Sequence, residues 1–132
     1  MGMKKFTSRV SISLSDTDAT GVIFFPRLFE KCVYVLEQFL KEHKNQSFFI
    51  DQGLTFPVFK AQGTYYTPIK IYDELLVSLE VKKIGKSSME FCYQFITPQG
   101  VVAMEAVLIH VCVSITTRAK VELPRTWIEL FS

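Results

Sequence analysis

Asp16 and Asp18 stand two residues apart in the run Ser15-Asp16-Thr17-Asp18-Ala19-Thr20-Gly21-Val22-Ile23-Phe24-Phe25-Pro26. A strongly apolar stretch with helical spacing follows directly. A carboxylate beside the N–H groups of a helix start suits attack on a polarised carbonyl. The carboxylate serves as nucleophile or base, and the N–H groups and helix dipole steady the oxygen that turns negative. The same residues have a plain structural use, because Asp, Thr and Ser ahead of a helix are ordinary caps. Of the two aspartates, Asp16 either orients the loop through an Asx-type hydrogen bond or tunes the charge of Asp18. Its place at the start of the turn favours the orienting role.

Other chemistries find less support. No Gly-x-Ser-x-Gly elbow is present, and neither His43 nor His110 has a context that points to a nucleophile. His43 falls at the end of the apolar helical run, where a cation is mildly favourable. His110 lies mid-strand and reads as a surface or satisfied core residue. Cys32, Cys92 and Cys112 are odd in number and widely spaced, which is no disulfide framework. Without a Cys-x-x-Cys or His-x-x-x-His pair, no metal site is expected. Phosphate-binding glycine motifs are absent. Asp16 and Asp18 could serve as a glycosidase pair, but nothing else suggests a sugar groove. Lys82, Lys83 and Lys86 cluster around Ile84-Gly85, either as a solvated hairpin tip or as cations for nucleotide phosphates.

The positioning elements follow from the apolar pattern. A chain of 132 residues, 48% hydrophobic with 12 Phe, suits one compact domain with a real core. The net charge of +2 has both signs scattered, so no basic face for nucleic acid is expected. The apolar runs are interrupted too soon to span a bilayer, and the start of the chain turns polar too soon for a secretory signal. A cytoplasmic location is the expectation.

Thr7 to Leu14 alternates, with Val10, Ile12 and Leu14 on one face, and reads as a half-buried strand. From about Pro26 to His43 the period is helical. Phe25, Phe29, Cys32, Val33, Leu36 and Leu40 recur at steps of three and four. Leu28, Val35 and Phe39 widen the apolar face, so something must wrap most of this helix. Pro26 suits a first helical turn. Phe48 to Gln52 is a candidate short helix. Thr55 to Tyr66 reads as one long strand with irregularities at Pro57 and Gly63. Glu74 to Ile84 alternates, with Leu75, Val77, Leu79 and Val81 on one face. Ser88 to Ile96 carries Met89, Phe91, Tyr93 and Phe95 on one face. Val101 to Val113 is a further strand, with Val107, Ile109, Val111 and Val113 as its expected core face. Tight turns at Gly85-Lys86 and Thr97-Pro98-Gln99-Gly100 make the last three strands an antiparallel meander. The order predicts an α+β fold, an antiparallel sheet wrapped around one long central helix.

Asp16-Thr17-Asp18-Ala19-Thr20-Gly21-Val22-Ile23-Phe24-Phe25 resembles the opening motif of hotdog-fold acyl-CoA thioesterases. The similarity points to the 4-hydroxybenzoyl-CoA thioesterase-like family, which includes 1,4-dihydroxy-2-naphthoyl-CoA hydrolases. It extends over Tyr65-Tyr66-Thr67-Pro68 with Asp73, the meander, and Lys120-Val121-Glu122-Leu123-Pro124, and so covers nearly the whole chain. The resemblance implies a single hotdog domain over 1–132. It implies hydrolysis of an acyl-CoA, with an aromatic or short to medium acyl group, to free acid and CoA without a cofactor. Asp18 matches the catalytic carboxylate, as nucleophile or general base. The backbone N–H of Phe25 matches the carbonyl-polarising donor, and Gly21 lets the substrate loop come close. Lys83 and Lys86 fall in the turn that holds CoA phosphates in some members, although Gly85 and Ser87 stand where one such member is basic. Phe24-Phe25 and Arg27-Leu28 also depart from common family residues, which bears on acyl preference. The resemblance implies a homodimer or homotetramer. An acyl carrier protein (ACP) donor and a non-catalytic acyl-binding module are the alternatives.

Overall fold

The computed structural model describes residues 5–43 and 53–132. The candidate helix at 48–52 lies outside these residues. Strand β1 (Phe6–Ser11) leads through a 3₁₀ turn, Leu14–Asp16, to the long helix α1 (Phe25–Glu42). There follow β2 (Leu54–Thr55), β3 (Val58–Tyr65), β4 (Glu74–Ile84), β5 (Ser88–Ile96), β6 (Val102–Val111), β7 (Val113–Ser114) and the short helix α2 (Arg125–Leu130). Five strands form one antiparallel sheet in the order β1-β4-β5-β6-β3, and β2 pairs with β7 in a separate ribbon. The α+β architecture expected from the pattern is the one observed.

The core lies between α1 and one face of the sheet. Leu28, Cys32, Val35, Leu36, Phe39 and Leu40 of α1 are buried there with Leu75, Val77, Leu79 and Val81 of β4. Met89, Phe91, Tyr93 and Phe95 complete the layer from β5, as their alternation predicts. Gly63 is a regular strand residue opposite Ala106. A side chain there would run into the end of Met104 and sit 3.5 Å from Leu28 Cδ2, so its lack of a Cβ seats the helix against β3.

Four details differ from the sequence pattern. Leu14 is turned into the 3₁₀ segment and is 70% exposed, while Val10 and Ile12 are buried as expected. The stretch from Thr55 to Tyr66 breaks at Phe56-Pro57 into β2 and β3, because proline cannot supply a ladder N–H. The buried face of β6 is Met104, Ala106, Leu108 and His110; Val107 and Ile109 lie on the other face. That strand is apolar on both faces, so alternation could not choose between them. Helix α1 is not wrapped over most of its circumference: Phe25, Val33 and Tyr34 stay exposed among the described residues, because the sheet covers one side only.

His110 is a satisfied core residue on one side of its ring. Its Nδ1 lies 2.8 Å from the Phe56 carbonyl, which can only accept, so Nδ1 carries the proton. Its Nε2 is buried with no partner, and the ring packs against Phe56 and Phe91. Burial lowers its pKa below the usual 6.5, and the Phe56 bond only partly opposes this. The unfolded chain therefore binds more protons below pH 6.5, and stability falls as pH drops from there towards the folded-state value. Urea unfolding at pH 7.5 and 5.5 should show wild type losing up to about 1.4 kcal/mol per pH unit from this group. His110→Leu should start less stable and have a flatter pH dependence. An equally steep dependence in the variant would place its origin elsewhere.

Candidate active site

The loop between β1 and α1 is a small hairpin. Thr17 bridges Ile23, the Asp18 N–H bonds the Val22 carbonyl at 2.9 Å, and the Gly21 N–H bonds the Asp18 carbonyl at 3.1 Å. Gly21 closes this turn at φ +81°, a conformation that favours glycine, and a Cβ there would face open space. The hairpin docks on the segment after β3: Ile23 N–H to the Ile69 carbonyl at 2.7 Å and Ile71 N–H to the Gly21 carbonyl at 3.2 Å.

The two aspartates have separate duties, and neither caps α1. The N-cap of that helix is Phe24, which makes no side-chain cap. Asp16 is buried, and its Oδ2 receives the Ser13 N–H at 2.9 Å, the Ser13 hydroxyl at 3.0 Å and the Lys31 ammonium at 2.9 Å. Burial works against its ionisation. The Ser13 N–H, then Lys31 and the Ser13 hydroxyl, outweigh burial and hold the carboxyl below the ordinary carboxylate value. Asp16 is therefore the loop-orienting residue. Its own carbonyl accepts the Phe24 N–H at 2.7 Å, tying the hairpin to the helix start.

Asp18 is exposed. Its Oδ1 receives the Thr20 N–H at 2.8 Å and the Thr20 hydroxyl, so the Asx-type bond expected at Asp16 falls on Asp18, while Asp16 bonds back to Ser13. The Thr20 hydroxyl and N–H lower its pKa most, with weaker pulls from Val22 and its own N–H. The carboxylate is therefore ionised at neutral pH. Oδ2 carries no hydrogen bond among the described residues.

At the helix start the Phe24 N–H is spent on Asp16, Pro26 has none, and the Arg27 N–H goes to the Phe24 carbonyl at 2.8 Å. The Phe25 N–H meets no acceptor among the described residues and stands at the positive end of an 18-residue helix. The Phe25 ring is half-exposed. It packs edge-on to Phe29 at 5.3 Å and tilted against Tyr65 at 6.1 Å between centroids. Arg27 is paired with Glu30 at 2.9 Å.

Asp18 and Gly21 lie in the hairpin that leads into the start of α1 at Phe25, whereas Lys83 and Lys86 lie away from it. Asp73, beside the docked hairpin, and Lys83 lie at opposite ends of β4, on the order of 30 Å apart at strand rise. Lys86 sits in the β4–β5 turn, 3.6 Å from Glu122. Cys32 is inert in the core, its thiol pushed up by burial. Two participants were not singled out by the sequence pattern. Lys31 looks like any polar helix residue, and Tyr65 attracts notice only as part of the Tyr65-Tyr66-Thr67-Pro68 string.

A family model described as "Thioesterase-like superfamily" matches residues 12–129. The chain belongs to the thioesterase-like superfamily. The curated relatives it matches are named as CoA thioester hydrolases. A 1,4-dihydroxy-2-naphthoyl-CoA hydrolase from Nostoc punctiforme is 33% identical over 121 residues, covering 90% of this chain and 81% of the relative. One of the same name from Synechocystis is 30% identical, covering 95% and 93%. The crystal structure of a 1,4-dihydroxy-2-naphthoyl-CoA thioesterase from Synechocystis superposes with a TM-score of 0.86 at 25% identity, covering 96% of this chain and 94% of that one. The hotdog fold expected from the motif is therefore the fold of this chain.

Separate duties predict separate stability effects. Asp16→Asn should lower stability by about 1–3 kcal/mol, since it breaks the Lys31 pair and a buried hydrogen-bond set. Asp18→Asn should melt like wild type, because an amide oxygen still accepts from Thr20. Thermal unfolding of both at pH 7 checks this, and equal losses would contradict it. The Asp16 contribution should persist at neutral pH and fade in acid as pH falls through its lowered folded-state value.

Proposed function

We propose that the protein hydrolyses an acyl-CoA to a free carboxylic acid and CoA, with Asp18 as the attacking or water-activating carboxylate. The observation that carries this reading is an ionised carboxylate, free at Oδ2 among the described residues, in the hairpin that leads directly into α1, whose first N–H is unspent. A thioester carbonyl directed at the Phe25 N–H would gain a hydrogen bond and the helix dipole as its oxygen becomes negative. Asp18 would then act on the carbonyl carbon as nucleophile, or as general base for water. Either route ends with acid and thiol and uses this chain's groups alone.

The acyl group would lie against Phe25, Phe29 and Tyr65, an aromatic wall suited to a flat ring. An aromatic acyl group of the kind named for the relatives, 1,4-dihydroxy-2-naphthoyl, fits that wall.

Assembly belongs to the same reading. β3 is the sheet edge next to the site, and nearly all its residues are exposed, Phe59 at 76%. An edge this long and apolar calls for a second copy paired along it, and a homodimer or homotetramer satisfies it. Lys83 and Lys86 could then meet CoA phosphates only at a site to which another subunit contributes Asp18. Among the described residues no helix is long and apolar enough to cross a membrane.

Thiol release from a panel of aromatic and aliphatic acyl-CoAs tests the reading. Wild type should turn over at least one, and Asp18→Asn should lose about 10²–10⁴-fold in kcat, the range for loss of a positioned base. Retention of most activity in the variant would overturn the role of Asp18. Turnover confined to ACP-linked esters would replace CoA with a carrier protein as donor.

A further inference from the structure

Tyr65 ends β3 opposite Met104, where the strand leaves the sheet. The chain then folds back. The Tyr66 N–H bonds the Ala103 carbonyl at 2.8 Å, and the Ile69 carbonyl takes the Ile23 N–H at 2.7 Å. These bonds anchor the segment after Tyr65 to the hairpin that leads into α1. The Tyr65 ring lies against that of Phe25, with centroids 6.1 Å apart, so it stands beside the first residue of α1.

The two adjacent tyrosines differ in what their hydroxyls do. That of Tyr66 donates to Glu105 Oε1 at 2.6 Å, and Gln94 holds the other Glu105 oxygen at 2.8 Å, so Tyr66 is committed to the outer face of the sheet. The Tyr65 hydroxyl has no partner among the described residues, and the residue keeps 38% of its surface exposed. Partial burial first, and then the negative charge of Asp18, raise the Tyr65 phenol above its ordinary value. The group is therefore neutral at working pH and lies within the field of Asp18. Asp18, in the hairpin before α1, and Tyr65, against the first residue of that helix, each keep a polar oxygen with unused hydrogen-bonding capacity among the described residues.

We propose that Tyr65 is a further catalytic residue, whose phenol oxygen and Asp18 Oδ2 together hold the hydrolytic water opposite the Phe25 N–H. The proposal rests on the thioesterase reading above and commits it to the general-base form. One hydrogen of the water points to Oδ2 and the other to the phenol oxygen, which leaves a lone pair facing the carbonyl carbon. As the water oxygen bonds to that carbon, its proton passes to Oδ2 and the carbonyl electrons move onto the oxygen held by Phe25. The oxyanion then collapses, the C–S bond breaks, and the departing thiolate takes the proton from the Asp18 carboxyl. The products are the free acid and CoA thiol, and no other reactant is consumed.

Tyr65→Phe keeps the ring on Phe25 and removes only the hydroxyl. With the best acyl-CoA found for wild type, its kcat should fall about 10-fold or more with KM nearly unchanged, since the hydroxyl acts on water and not on the bound ester. Its melting temperature should match wild type. Tyr66→Phe should leave kcat unchanged. In the Asp18→Asn background, Tyr65→Phe should cost little further, because both groups hold the same water. A wild-type kcat in Tyr65→Phe would overturn the proposal and leave the thioesterase reading standing. So would a raised KM at constant kcat, which would make the Tyr65 hydroxyl a contact of the bound ester and not of the water. Wild type without turnover on any CoA or carrier ester would overturn both.

Discussion

The buried carboxylate of Asp16 is the constraint on which the site depends. Through one oxygen it holds the Ser13 N–H, the Ser13 hydroxyl and the Lys31 ammonium, while its backbone carbonyl holds the Phe24 N–H. Lys31 is the seventh residue of α1, so a single residue joins the turn after β1, the hairpin and the helix. A charge taken out of water needs this many partners to remain ionised. The geometry has a second effect. With Phe24 committed and Pro26 lacking an N–H, the unspent donor at the helix start falls on Phe25.

The neighbouring aspartate works under the opposite conditions. Asp18 is exposed, and only Oδ1 is committed, to Thr20 in its own turn. Its carboxylate is oriented without being buried, and the other oxygen remains available. Gly21 permits the tight return of the chain, and the docking of Ile23 and Ile71 backbone groups holds the hairpin against the rest of the fold. Preorganisation of this kind places charge and donor before a substrate arrives, which is where electrostatic catalysis draws its advantage.

Much of this was legible in the order of residues. The bounds of β4 and β5 and the long α1 follow from clean periodicity, whereas the Asx-type bond expected at Asp16 is made by Asp18 to Thr20. The failures have equally physical causes. The core face of β6 could not be chosen because both faces are apolar, so Met104, Ala106, Leu108 and His110 were exchanged for Val107 and Ile109. The breadth of apolar surface on α1 suggested wrapping, yet Phe25, Val33 and Tyr34 are exposed in this chain. The Asp16–Lys31 pair joins residues fifteen apart, and no local spacing rule announces it. The partner roles of Tyr65 and Tyr66 depend on which face each presents at the end of a strand, and that is set by register alone.

The central claim is a geometry: a thioester carbonyl held on the Phe25 N–H with Asp18 facing its carbon. The most direct measurement is a crystal structure of the Asp18→Asn protein with an uncleaved acyl-CoA substrate. The carbonyl oxygen should lie about 3 Å from the Phe25 nitrogen, with the carbonyl carbon towards residue 18 and the acyl group against Phe25, Phe29 and Tyr65. A thioester bound away from the start of α1, with the Phe25 N–H turned elsewhere, would contradict it.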